Sequence, residues 1–212
     1  MTSPSAGLTG LTRAYLAILA ARVLFLVAMF VIRGSGPLST VADVVGLVVG
    51  LLWLRRAWAR VPEPCRRAYD GRRVEPDEAL WKLFIPVYGV YWLFIANIGL
   101  CGAVERHLQR GGARSTEVPS TLALVACLVQ LVPVINIILS PFLWALFMAR
   151  VDASQAEADR LDADARAPEP VSLRRVALLV VGVIIGYSAV LIFVFLAVWQ
   201  FLNPGVPAFG PR

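Results

Sequence analysis

The sequence predicts an all-α fold, a polytopic transmembrane helix bundle of about five spans within bounds of four to six. Three observations predict it. Apolar residues make up 58% of the 212 positions and mean hydropathy is +0.72, against roughly 45–50% apolar in ordinary soluble domains. These residues gather in five tracts, Ala14–Ile32, Leu38–Leu54, Leu83–Val104, Val118–Ala149 and Val176–Leu202, and about 20 apolar residues let a helix cross a bilayer core. The charges lie almost entirely between the tracts. Spans are therefore expected near 14–32, 38–58, 80–104, 118–149 and 174–202, in one membrane domain covering 1–212.

The first tract outruns the h-region of about 7–15 residues found in signal peptides. Arg22 interrupts it and no small-residue cleavage site follows, so it reads as a retained span. The second follows Gly36-Pro37, with Ser39 placed to cap it. Trp53 and Trp58 flank its end as interfacial tryptophans do. A basic-acidic loop, 55–79, contains Pro62, Pro64 and Gly71. Glu75-Pro76-Asp77-Glu78 opens the third span, with proline in the first turn and acids favoured by the helix dipole. Trp81, Phe84, Tyr88, Tyr91 or Trp92, and Ile95 recur there at three- and four-residue steps, while Pro86 and Gly89 soften the helix.

The fourth tract is 32 residues long. As a helix it would run about 48 Å, well beyond a core of about 30 Å. It also contains Pro133 and Pro141, each removing a helix hydrogen bond. Two readings stand: one kinked, tilted span, or two short passes or a re-entrant pair meeting near Gln130–Asn136. The Ala-, Asp- and Glu-rich segment 151–167 continues it as a cytoplasmic helix, ended by Ala-Pro-Glu-Pro. Ser172 is placed to cap the fifth span.

Arginine occurs nineteen times and lysine once, at Lys82, a bias that suggests a high-GC bacterial genome. If each tract crosses once, fourteen basic residues fall on the face holding the N-terminus, loop 55–79 with Lys82 after it, and segment 150–175. Arg33, Arg106, Arg110, Arg114 and Arg212 fall on the other. The positive-inside rule then places the N-terminus in the cytoplasm of a multi-pass inner-membrane protein.

Arg22 is the sharpest candidate for function, because ionisable groups at mid-bilayer depth are costly and functional by default. Asp43 is its evident partner. Side chains lean toward their own helix N-terminus, which aims the two apart. A direct ion pair, a snorkelling arginine beside an interfacial aspartate, and a proton or ion pathway are the three readings. Asn97, Gln130 and Asn136 complete the intramembrane polar set. Ala42, Gly46 and Gly50 form one small-residue ladder; Gly182 and Gly186, extended by Ala189, form another. Such ladders allow close helix approach, either between two copies of the chain or within one bundle. Phe84–Val90 and Leu131–Ile137 share an apolar-apolar-Pro-Val pattern, and paired proline-broken helices mark some transporter sites.

No metal or cofactor is expected. His107, the sole histidine, is placed in a loop, and Cys65, Cys101 and Cys127 have no metal or disulfide spacing. No GxSxG, P-loop, HExxH or GxGxxG pattern occurs, so an enzyme is not expected. The charge of +6 is accounted for by membrane loops, with anionic lipid headgroups near the basic loop as partners and no nucleic acid.

The run from Trp53-Leu54 through the basic loop to LFIPVYGVYWLFIANIGLCGAVERHL and LVPVINIIL resembles a group of uncharacterised bacterial multispanning proteins. Their shared core reads Phe-Ile-Pro-x-aromatic-Asn-x-Tyr-Trp; Gly89 stands here at the Asn position, and Asn136 keeps it in the second copy. The resemblance covers roughly residues 45–160. It implies the membrane architecture and no activity. The functional expectation is a non-enzymatic accessory or partner-binding bundle. The alternative is a small transporter, channel or membrane-permeabilising effector using Arg22, Asp43, Asn97, Gln130 and Asn136.

Overall fold

The computed structural model describes residues 9–31, 36–85, 87–113, 117–162, 181, 200 and 201. Among them the fold is all-helical, without a β-strand. Six α-helices follow in order: α1 (Gly10–Val31), α2 (Gly36–Arg60), α3 (Glu78–Trp81), α4 (Tyr88–Arg110), α5 (Ser120–Gln130) and α6 (Pro133–Leu161). Short 3-10 turns occupy Glu63–Cys65 and Lys82–Phe84. The chain divides into two compact units, Met1–Pro170 and Val171–Arg212. Ser172, Gly182, Gly186 and Ala189 lie outside the described residues.

α1 and α2 form an antiparallel hairpin. Tyr15 faces Gly50, Ile18 faces Gly46, and Arg22 faces Asp43, so position falls on one helix as it rises on the other. α6 runs parallel to α2 in constant register. Trp53 meets Asp152, Ala57 meets Gln155 and Arg60 meets Asp159, at sequence separations of 99, 98 and 99. The N-terminus of α1 and the C-termini of α2 and α6 therefore share one end of the bundle, where the charged side chains gather.

The third tract departs from the single helix expected over 80–104. Asp77 sits at the N-cap of a helix of only four residues, α3, and a 3-10 turn follows. Ile85 is extended at φ −78°, ψ 118°, the conformation a following proline imposes. Val87 has φ 64°. A helix cannot pass through that pair, so α4 begins only at Tyr88. A Cβ at position 89 would run into the Leu83 carbonyl, so the turn needs Gly89. Ser39 likewise lies inside α2, which starts at Gly36, and not at its cap. The fourth tract breaks at Leu131–Val132, and α6 opens on Pro133, whose missing N–H costs nothing in a first turn. α6 then continues without interruption to Leu161.

α4 also departs from the alternating order. Arg106, near its C-terminus, donates to the Cys65 carbonyl (Nη2, 3.3 Å) and to the Arg67 carbonyl in the loop after α2. His107 meets Asp162 at the end of α6 (3.2 Å). α4 thus ends where α2 and α6 end. Its start lies only a short way off. Trp58, near the end of α2, donates Nε1 to the Ala96 carbonyl (3.0 Å). From Ala96 back to Tyr88 is about 12 Å of helix, whereas from Trp58 back to Gly36 is about 33 Å. The segment before α4 enters from the charged end and reaches less than half the depth of α2, and α4 runs back from there to the charged end.

Candidate functional site

Asp152, which the sequence presents as one acid among many in an acidic segment, accepts three hydrogen bonds. It is 1% exposed. Its Oδ2 accepts from the Thr9 backbone N–H (3.0 Å) and the Thr12 hydroxyl (2.5 Å), and its Oδ1 accepts from Trp53 Nε1 (3.0 Å). Thr9 caps α1 in turn, its Oγ1 taking the Thr12 N–H at 3.3 Å. A carboxylate at a helix N-terminus is favoured by the dipole and by the unpaired N–H groups there. Asp152 therefore stays satisfied without a cation and joins α1, α2 and α6.

The rest of the charged end satisfies backbone ends and neighbouring carboxylates. Arg66 donates to the Ala59 and Val61 carbonyls (3.0 and 2.8 Å), which the last turn of α2 leaves open. Gln155 does the same for Ala57 (2.7 Å). Arg55 pairs with Asp77 (2.6 Å) and Arg60 with Asp159 (2.5 Å). Arg73 is held by Glu63 and Glu75; the hydrogen bond to Glu63 first, then that to Glu75, raise its pKa above the ordinary arginine value. Partial burial, with the neighbouring Tyr91 phenol behind it, pushes Tyr69 up. Lys82 meets Glu78 and lies 4.2 Å from the Trp92 ring centroid. Trp53 and Trp58, expected at a lipid–water interface, are instead buried in this packing, Trp58 with 0% exposure. His107, expected in a loop, lies in α4 at 1% exposure.

The five polar candidates lie in three separate places. Arg22 Nε meets Asp43 Oδ1 at 2.9 Å between α1 and α2. Asn97 is buried in α4 and donates Nδ2–H to its own helix at Leu93 (2.8 Å). Gln130 Oε1 accepts from Ser140 (2.6 Å) and Trp144 Nε1 (3.1 Å), tying the end of α5 to α6. Asn136 is half-buried in the first turn of α6, its backbone N–H on Val132 (2.8 Å). Gly46 and Gly50 face α1 of the same chain: a Cβ there would stand 3.6 Å from Ile18 and 3.9 Å from Tyr15. Cys65, Cys101 and Cys127 are buried free thiols. Among the described residues no three His, Cys, Asp or Glu side chains converge as metal ligands.

Comparison with family models, with curated proteins and with solved structures finds no match. Among the described residues one helix, Tyr88–Arg110, is long and apolar enough to cross a membrane by length and composition. It is the helix whose position in the bundle is shallow.

Proposed function

We propose that this chain is a multi-pass protein of the bacterial cytoplasmic membrane, with its N-terminus in the cytoplasm. It acts there as a non-enzymatic accessory bundle that holds a membrane partner or a second copy of itself. The observation that carries the reading is the division of its surface. Ionic side chains collect at the end shared by the α1 N-terminus and the C-termini of α2, α4 and α6. Large apolar side chains stand exposed along the rest: Leu24 on α1, Leu47 on α2, Leu128 on α5 and Phe142 on α6. Water disfavours so much exposed apolar surface, whereas acyl chains accept it. Exposed Arg67, Arg110 and Arg150 fit anionic headgroups at the charged end.

The accessory role is supported by the scatter of the polar candidates: Arg22 pairs with Asp43, Asn97 bonds its own helix, and Gln130 bonds Ser140 and Trp144, so they line no common path. The test uses purified full-length protein in sealed liposomes. Liposomes that show no solute or ion flux, together with a partner or second copy retained at fixed stoichiometry, support the accessory role. Flux abolished by Arg22→Ala would overturn it in favour of the transporter reading.

A further inference from the structure

We infer that the turn between the Lys82–Phe84 segment and α4 is a re-entrant wedge, seated among the acyl chains of the cytoplasmic leaflet and ending inside it. This rests on the membrane reading above and adds a one-leaflet insertion to it. The depth argument comes first. Val87, at the tip, is within about 15 Å of Ala96 along the chain, and Ala96 is fixed against Trp58 near the end of α2. α2 extends about 33 Å beyond that contact. The tip therefore reaches no further than the middle of any bilayer that α2 crosses, while both flanks of the wedge return to the charged end.

The chemistry of the tip fits that occupant. Val87 is 88% exposed, and Trp81, Ile85, Val90 and Tyr91 are exposed around it. No Asp, Glu, Lys or Arg occurs from Leu83 to Val104, while Lys82 stands just before and Glu105 and Arg106 just after. An apolar medium also requires backbone donors to be satisfied within the protein. Three donors of the turn are satisfied in this way: Gly89 N–H donates to Ile85 (2.6 Å), Val90 N–H to Val87 (3.2 Å) and Ile85 N–H to Lys82 (3.4 Å). A β-branched residue at φ 64° is strained, and here it presents an isopropyl group outward at the apex. The exposed Arg67, in the loop after α2 and beside the C-terminal end of α4, supplies positive charge there, complementary to anionic headgroups over that leaflet.

The experiment places a bimane fluorophore at Val87→Cys and, separately, at Leu24→Cys on α1. Both proteins are reconstituted in phosphatidylcholine–phosphatidylglycerol vesicles whose chains are brominated near the middle. Wild type, whose three cysteines are buried, gives the blank, and Val90→Cys repeats the measurement should Val87→Cys fold poorly. In parallel, unlabelled Val87→Cys in sealed membranes is treated with a membrane-impermeant maleimide from each face. The wedge predicts bromine quenching at both sites, at least twofold over unbrominated lipid, and no maleimide reaction at Val87 from either face. Reaction from the outer face means that the tract crosses. Reaction from the cytoplasmic face without quenching means that the tip is in water. Quenching at Leu24 alone, with no reaction at Val87, means that protein covers the tip. Each of these overturns the wedge and leaves the membrane reading standing; absence of quenching at Leu24 as well overturns both.

Discussion

Arg22 and Asp43 meet at 2.9 Å, with the arginine the more buried of the two. Removing either leaves the other charge without its partner in an apolar setting, which is more damaging than losing both. Arg22→Ala and Asp43→Ala are each expected to lower stability in detergent, and the double variant should recover part of the loss. A coupling of about 1–3 kcal/mol is expected for two groups in contact, read from denaturant unfolding of the four proteins; strict additivity would contradict the pair. The lean of helical side chains argued against this contact from sequence, because that argument treats the groups as short and the helices as ideal. The length of arginine decides it. Asp152 was illegible for a different reason. Nothing local separates it from Asp159 or Asp162, and its three donors come from residues 9, 12 and 53. Asp152→Ala strands all three donors at about 1–3 kcal/mol each, whereas Trp53→Phe removes one donor and part of one buried ring. The first should lower the unfolding midpoint far more than the second, and equal losses would count against Asp152 as the shared acceptor.

At the scale of elements, the apolar tracts and their proline breaks were readable, because length, composition and the missing proline N–H are local. The two copies of the apolar-apolar-Pro-Val pattern both stand at helix starts: α4 begins at Tyr88 and α6 at Pro133. What the pattern could not give is where α4 goes after it starts, since direction is set by distant contacts. Ala68 on the loop is one of them. A Cβ added at Gly99 would lie 3.2 Å from Ala68 Cα and 3.3 Å from its Cβ, with Trp58 at 3.7 Å, whereas one at Gly102 meets only the end of the flexible Arg106 side chain at 3.5 Å. Gly99→Val should therefore cost about 1–3 kcal/mol by overpacking. Gly102→Ala should be neutral or stabilise by up to about 1 kcal/mol through helix propensity. Thermal unfolding of both variants checks the contrast, and the reverse order would remove the loop from the face of α4.

For the whole molecule, the distribution of basic residues and the position of α4 bear on each other. Counting one crossing per tract assigns Arg106 and Arg110 to the outer face, against the cytoplasmic loop 55–79. The contacts of Arg106 with the Cys65 and Arg67 carbonyls, and of His107 with Asp162, put the end of α4 beside that loop and beside the end of α6. In the membrane reading both arginines then move to the cytoplasmic side, which sharpens the charge asymmetry that fixes orientation. A helix of 23 residues with the composition of a span is in this way compatible with a chain that does not change sides. Composition reports what a helix tolerates around it, and the partners of its two ends decide whether it crosses. A reporter inserted after Gly112, in the connection between α4 and α5, separates the two topologies. If α4 is re-entrant, a cytoplasm-active reporter placed there matches one placed in loop 55–79, and an export-dependent reporter is silent at both positions. If the third tract crosses, the two positions give opposite signals, and the shared end of α2, α4 and α6 cannot hold in the membrane.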